Sequence, residues 1–113
     1  MKTAELTGVA LDWAVAKCMG HRVAANCGAY IRIYLPDPKQ SGYTLAFCPS
    51  TDWALGGPII EREEICVLAP VRGLWRGRKE GRTQYGPTPL IAAMRCYVAS
   101  KLGDEVEIPE DLK

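Results

Sequence analysis

The stretch from Thr88 to Gly103 constrains this chain more than any other. Leu90, Ile91, Met94, Tyr97, Val98 and Leu102 recur at three- and four-residue spacing, which places them on one face of an α-helix. Thr88 can accept a hydrogen bond from the first free N–H groups, and Pro89 carries the fixed φ of a first helical residue. Gly103 supplies the stop. A helix over Pro89–Leu102 with such a face must be covered by the rest of the chain.

A second helical pattern runs over residues 4–19, where Leu6, Val9, Ala10, Trp13, Ala14, Lys17 and Cys18 recur at helical spacing. Thr3 is a cap for its start and Gly20 the left-handed residue past its end. Gly8 costs about 1 kcal/mol of helix propensity, so the helix either starts frayed or begins later, at Thr7. The period then changes to two. Ile31, Ile33 and Leu35 alternate toward a core with Arg32 on the other side, and Pro36-Asp37-Pro38 stops that strand. A turn at Gln40-Ser41-Gly42 returns the chain into a strand over residues 43–47.

Farther on, residues 49–57 read as an irregular, glycine-bearing loop, with Pro58 as the first residue of a short helix over 59–64. Residues 65–68 and 74–78 read as short strands joined by a turn at Arg72-Gly73. An acidic tail over 104–113 holds Val106 and Ile108, which suit an edge strand. Hairpin-length connections favour antiparallel pairing. The expected architecture is α+β, two main helices packed on a small, mostly antiparallel β-sheet in a single globular domain of 113 residues.

Composition narrows the function classes. Fourteen basic residues against thirteen acidic ones leave a net charge of +1, which argues against a chain devoted to neutralising a nucleic-acid backbone. No stretch approaches the length of a membrane span, and Met1-Lys2-Thr3-Ala4-Glu5 lacks the apolar run of a signal peptide, so a cytoplasmic location is expected. The five cysteines are scattered and odd in number, unlike a secreted disulfide framework. Cys18, His21 and Cys27 offer one ligand cluster where zinc sites use two tight pairs, so the thiols are expected to be buried and no metal or cofactor is expected.

Three stretches together carry a resemblance. They are Leu6-Thr7-Gly8-Val9-Ala10-Leu11-Asp12-Trp13-Ala14-Val15-Ala16, then Pro49-Ser50-Thr51-Asp52-Trp53 running into Gly56-Gly57-Pro58-Ile59-Ile60-Glu61, then Tyr85-Gly86-Pro87-Thr88-Pro89-Leu90-Ile91-Ala92-Ala93-Met94-Arg95. In that order they resemble the NinX-type family of small phage and prophage proteins of unknown function. The resemblance covers nearly the whole chain. It implies an accessory protein working in the bacterial cytoplasm, with an unidentified phage or host protein as partner, and it assigns no catalytic or ligand residues. The stretch from Val71 to Gln84 departs from the family pattern, so its basic content is not read as implied by the resemblance.

Three candidate sites follow from the residues. In the loop 50–61, Ser50, Thr51 and Asp52 offer hydrogen bonds, Trp53 a flat apolar surface, and Gly56 and Gly57 a close backbone approach. This makes a protein-binding loop that also includes Glu61, unless Asp52 merely caps a turn and Trp53 plugs the core. The basic turn 72–82 sets Arg72, Arg76, Arg78, Lys79 and Arg82 beside Trp75 and Tyr85, a combination that grips phosphates and stacks bases. Read structurally, the same residues are a solvated hairpin tip that keeps a sheet edge from aggregating. A third reading places a divalent-metal enzyme site at Asp52 and Glu61, with Glu61 and Glu64 on one helical face. A lone histidine gives a hydrolase triad little support, so a non-enzymatic role is expected. Arg95, among apolar neighbours, either pairs with an acid such as Glu61 or faces solvent.

Overall fold

Each helix in this chain ends where a specific residue stops it, and the strands fill the intervals. A computed structural model describes residues 1–35 and 42–113. The proline stop at 36–38 and the turn residues Gln40 and Ser41 lie outside the described residues. Along the rest run α1 (Gly8–Cys18), β1 (Val23–Asn26), β2 (Ile31–Tyr34), β3 (Thr44–Phe47), α2 (Trp53–Arg62), β4 (Cys66–Val71), β5 (Leu74–Lys79), β6 (Arg82–Gly86) and α3 (Pro89–Leu102). The α+β class holds, and pairing is antiparallel throughout. The strands divide into two three-stranded sheets among the described residues, ordered β1-β2-β3 and β4-β5-β6, rather than one.

Helix α3 matches its sequence pattern residue for residue. The Thr88 hydroxyl accepts from the Ile91 N–H at 3.1 Å, and Gly103 leaves the helix at φ 87°. Its burial goes well beyond one face, since every residue from Ala92 to Ala99 is buried while Leu102 is exposed. The reason lies in β5 and β6. A Cβ on Gly77 would stand 2.6 Å from the Ala92 carbonyl oxygen, and one on Gly86 would stand 2.7 Å from the Ala92 nitrogen. Two glycines thus let the helix backbone lie directly on the sheet, and small residues on the helix complete the fit.

The first sheet follows ordinary alternation. Ile31 and Ile33 are buried, Arg32 points away to donate to Thr44, and Phe47 closes the layer. These side chains join Leu11, Ala14 and Val15 of α1 and Met94 and Val98 of α3 in one apolar core. Strand β1 escapes the sequence pattern because Val23-Ala24-Ala25-Asn26 has no alternation, and its pairing with β2 is interrupted by a bulge.

Several expectations need correction. Helix α1 begins at Gly8, with Thr7 before it, and residues 3–5 form a separate 3-10 turn. Thr3 is buried and its hydroxyl donates to the Gly103 carbonyl at 2.7 Å instead of capping α1. The tail forms no edge strand. Met1 and Val106 exchange two backbone hydrogen bonds of 2.9 Å beside a single Lys2–Glu105 bridge, and Val106 and Ile108 are buried in the core. Arg95 neither pairs with Glu61 nor reaches solvent. It is buried, and it donates to the carbonyls of Leu6 at 2.8 Å and Tyr85 at 2.7 Å.

Candidate functional site: a groove between two helix starts

The supposed loop 50–61 is mostly helix. The carbonyl of Cys48 accepts from the N–H groups of Thr51 and Asp52 at 3.1 and 2.9 Å, which turns the chain sharply. The Asp52 carboxylate then accepts from the Ala54 N–H at 2.9 Å and caps α2. Pro58 is inside the helix rather than at its first position. Gly56 is buried because α2 is pressed against the Pro49 carbonyl and against Leu90, whose Cδ2 would stand 2.6 Å from an added Cβ. The Gly56 contact brings the start of α2 against the start of α3.

Between those two starts lies a groove of about 230 Å³, lined by Ser50, Thr51, Trp53, Thr88, Pro89, Leu90 and Ile91. Trp53 is 56% exposed, with its Cε3 atom 4.0 Å from where a Cβ on Gly57 would stand, so it forms a wall of the groove and does not plug the core. Leu90 and Ser50 are buried. Apolar walls with a few hydroxyl groups are the usual make-up of a recognition pocket.

Beneath the groove sits a residue that sequence reading did not single out. Asp12, on α1, is 2% exposed and accepts from the Ser50 N–H at 2.9 Å. Burial pushes its carboxyl up from an ordinary 3.8 to about 6, with the Ser50 N–H opposing the rise. An aspartate in the middle of an apolar helical stripe, Ala10-Leu11-Asp12-Trp13-Ala14, was the available signal. The start of α3 was likewise missed as a site, since its residues read only as a helix cap.

The remaining candidates do not assemble here. Glu61 is exposed near the far end of α2, about 13 Å along the axis from Asp52 at 1.5 Å per residue. Glu64 has left the helix at φ 53°, so it shares no helical face with Glu61. Gly57 does not line the groove. Among the described residues no three of His, Cys, Asp and Glu gather as metal ligands. His21 stands edge-on to Phe47 with ring centroids 5.4 Å apart, and burial, helped by nearby Arg62, lowers its pKa. Burial pushes the Cys18 thiol up to about 11, whereas Cys27 and Cys66 are exposed, contrary to the expectation of buried thiols.

The basic segment 72–82 is not a hairpin tip. It is a turn, the central strand β5, and a second turn. Arg72-Gly73 and Glu80-Gly81 each carry two positive φ values, 56° and 80°, then 50° and 81°, as two-residue hairpins require. Strand alternation separates the side chains. Trp75, Gly77 and Lys79 face α3, and Lys79 donates to the Glu63 carbonyl at 2.7 Å. Arg82 reaches back to the Ala99 carbonyl and to Asp104, both at the limit of contact. Arg76 and Arg78 point the other way.

Among the described residues no helix is long and apolar enough to cross a membrane. A family model described as "Bacteriophage P22, NinX" matches residues 2–101. The chain therefore belongs to that phage family, and the resemblance carried by the three stretches is confirmed. A search of curated proteins found no match.

Proposed function

We propose that this member of the NinX family is a non-enzymatic phage accessory protein that binds a partner protein through the groove between the starts of α2 and α3. One observation carries the reading. The three stretches that bear the family resemblance are far apart in sequence, yet all meet here: Asp12 of α1 holds Ser50, Gly56 seats α2 on Leu90, and Thr88–Ile91 forms the opposite wall. Trp53 stands exposed at that junction, and tryptophan is a common anchor of protein interfaces. A side chain offered by a partner can fill about 230 Å³ against Leu90 and Trp53 while its polar end meets the hydroxyls of Thr51 and Thr88. The partner is a phage or host protein met in the bacterial cytoplasm.

The test is affinity capture from phage-infected cells with the parent chain, Trp53→Ala and Trp53→Phe, with melting temperatures measured in parallel. Trp53→Ala should lose the captured protein, Trp53→Phe should keep part of it, and both should melt close to the parent. Exposed surface changes usually alter stability by less than about 0.5 kcal/mol. Capture unchanged by Trp53→Ala, or a variant that no longer folds, overturns the reading.

A further inference from the structure

The second sheet has a face that no described element covers. Helix α3 packs on the side of Gly77 and Gly86, and apart from α3 and the 3-10 turn at residues 3–5 no described element outside the sheet makes a substantial contact with its strands. Strand register fixes what stands on the opposite side. Leu68, Arg76 and Tyr85 are direct partners across β4, β5 and β6, and Cys66, Arg78 and Thr83 form the next row. Successive rows on one face lie about 6.8 Å apart, and directly opposed side chains about 5 Å apart. Tyr85 is 51% exposed and Arg78 is exposed. Arg76 is half-buried, and its Nε–H is shielded from solvent without a hydrogen-bond partner among the described residues. Neither arginine has a carboxylate within 4.0 Å among the described residues, and no acid occupies an outward position in the two rows.

The geometry points to this face, centred on Arg76, Arg78 and Tyr85, as a binding surface for single-stranded nucleic acid. The chemistry is that of a stacking platform. An exposed phenol ring beside a planar guanidinium accepts the flat face of any base, and two unneutralised cations on adjacent positions meet successive phosphates. The strand is favoured over a duplex because the ring and guanidinium lie in one row of a sheet surface, where an unpaired base can lie flat on them. An acidic protein would satisfy the cations but leave the ring and the Leu68 flank without a matching partner. This site stands apart from the groove at Trp53 and does not depend on it.

The test is fluorescence anisotropy of a labelled mixed-sequence single-stranded DNA against the full chain at several salt concentrations. The parent should bind with an affinity that falls as salt rises. The double variant Arg76→Ala/Arg78→Ala should lose about tenfold or more, and its log–log salt slope should shrink by about 1.4, the release expected for two single-strand phosphate contacts. Tyr85→Leu should lose about fivefold or more with an unchanged slope, since stacking carries no charge. Arg82→Ala removes the same charge from the other side of the sheet and should stay within about threefold of the parent. Amide shifts in the parent, clustered on residues 66–68, 74–78 and 83–85, give a reading that does not depend on any variant folding. No salt-sensitive binding overturns the inference. So does an Arg82→Ala loss equal to that of the double variant, tighter binding of a duplex of the same length, or equal binding of polyglutamate.

Discussion

The two sheets meet the core in opposite ways. In the first, Ile31, Ile33 and Phe47 project from alternate positions into the space beside α1, so the contact is made by side chains. In the second, the contact is made by their absence, because Gly77 and Gly86 bring the α3 backbone within reach of the strands themselves. A side-chain layer can adjust when one methyl group changes. Backbone against backbone cannot, since neither surface has a rotamer to move. The second sheet is therefore the more rigid support, and it carries the uncovered basic face on its far side.

The sharpest way to break that contrast is a single added methyl. Gly77→Ala would set a Cβ 2.6 Å from the Ala92 carbonyl oxygen, 2.9 Å from its carbon and 3.0 Å from the Ala93 Cα. All three are backbone atoms of a buried helix. Lifting α3 would also open the packing of Ala93, Met94 and Cys96. We expect a loss of about 4 kcal/mol, above the usual cost of overpacking, or no folded protein at all. A loss of less than about 1 kcal/mol in denaturant unfolding would mean that helix and sheet separate easily, and the contrast would fall.

The same contrast explains what the sequence made legible. Helix α3 was readable to its ends because Thr88, Pro89 and Gly103 act locally, through capping and fixed dihedral angles. Strands β2 and β3 were readable because Ile31, Ile33 and Phe47 alternate. Strand β5 was legible over residues 74–78, but β6 was missed, since Gly86 at an inward strand position has the appearance of turn punctuation until a helix is seen lying on it. The error over α2 has the same root. Gly56, Gly57 and Pro58 read as a loop and a helix start, yet Gly56 is a contact point and Pro58 is tolerated inside α2. At the site, Ser50, Thr51 and Trp53 were legible as loop-borne polar and aromatic groups. Asp12 and the Thr88–Ile91 wall were not, because only the tertiary fold places them beside the other residues.

A second test sharpens the comparison from the side of α1, whose packing is not wholly apolar. Asp12 is buried and its carboxyl is raised to about 6, above the 3.8 of the unfolded chain. Between those values the unfolded state ionises first, so the contribution of this group to stability is largest below about pH 4 and is lost as pH rises through 6. Asp12→Asn keeps an acceptor for the Ser50 N–H and removes the ionisation. The difference in unfolding free energy should therefore move in favour of the variant by about 2 kcal/mol between pH 4 and pH 7. Parallel pH profiles for the two proteins would show instead that Asp12 ionises as freely in the fold as outside it. The support for Ser50, and with it the floor of the groove, would then be looser than the hydrogen bond of 2.9 Å implies.

The smallest expected effect completes the comparison, since it removes from the first sheet about what Gly77→Ala adds to the second. Ile33 is 2% exposed, lies opposite Leu45 and Val23 in the register, and belongs to the core cluster shared with α1 and α3. Ile33→Val deletes one methylene from a layer made of flexible side chains, with Leu45 and Val23 only partly buried and free to shift. Such a deletion typically costs about 1 kcal/mol, the transfer term plus a cavity that collapses in part. Denaturant midpoints of the two variants measured under one condition give the ratio directly. If Ile33→Val costs as much as Gly77→Ala, the first sheet packs as tightly as the second and its neighbours cannot relax. If the ratio is near four, the glycine-backed sheet is the stiff element of this fold. A stiff sheet would hold Arg76, Arg78 and Tyr85 in fixed register on its outer face, which is the geometry that a stacking surface requires.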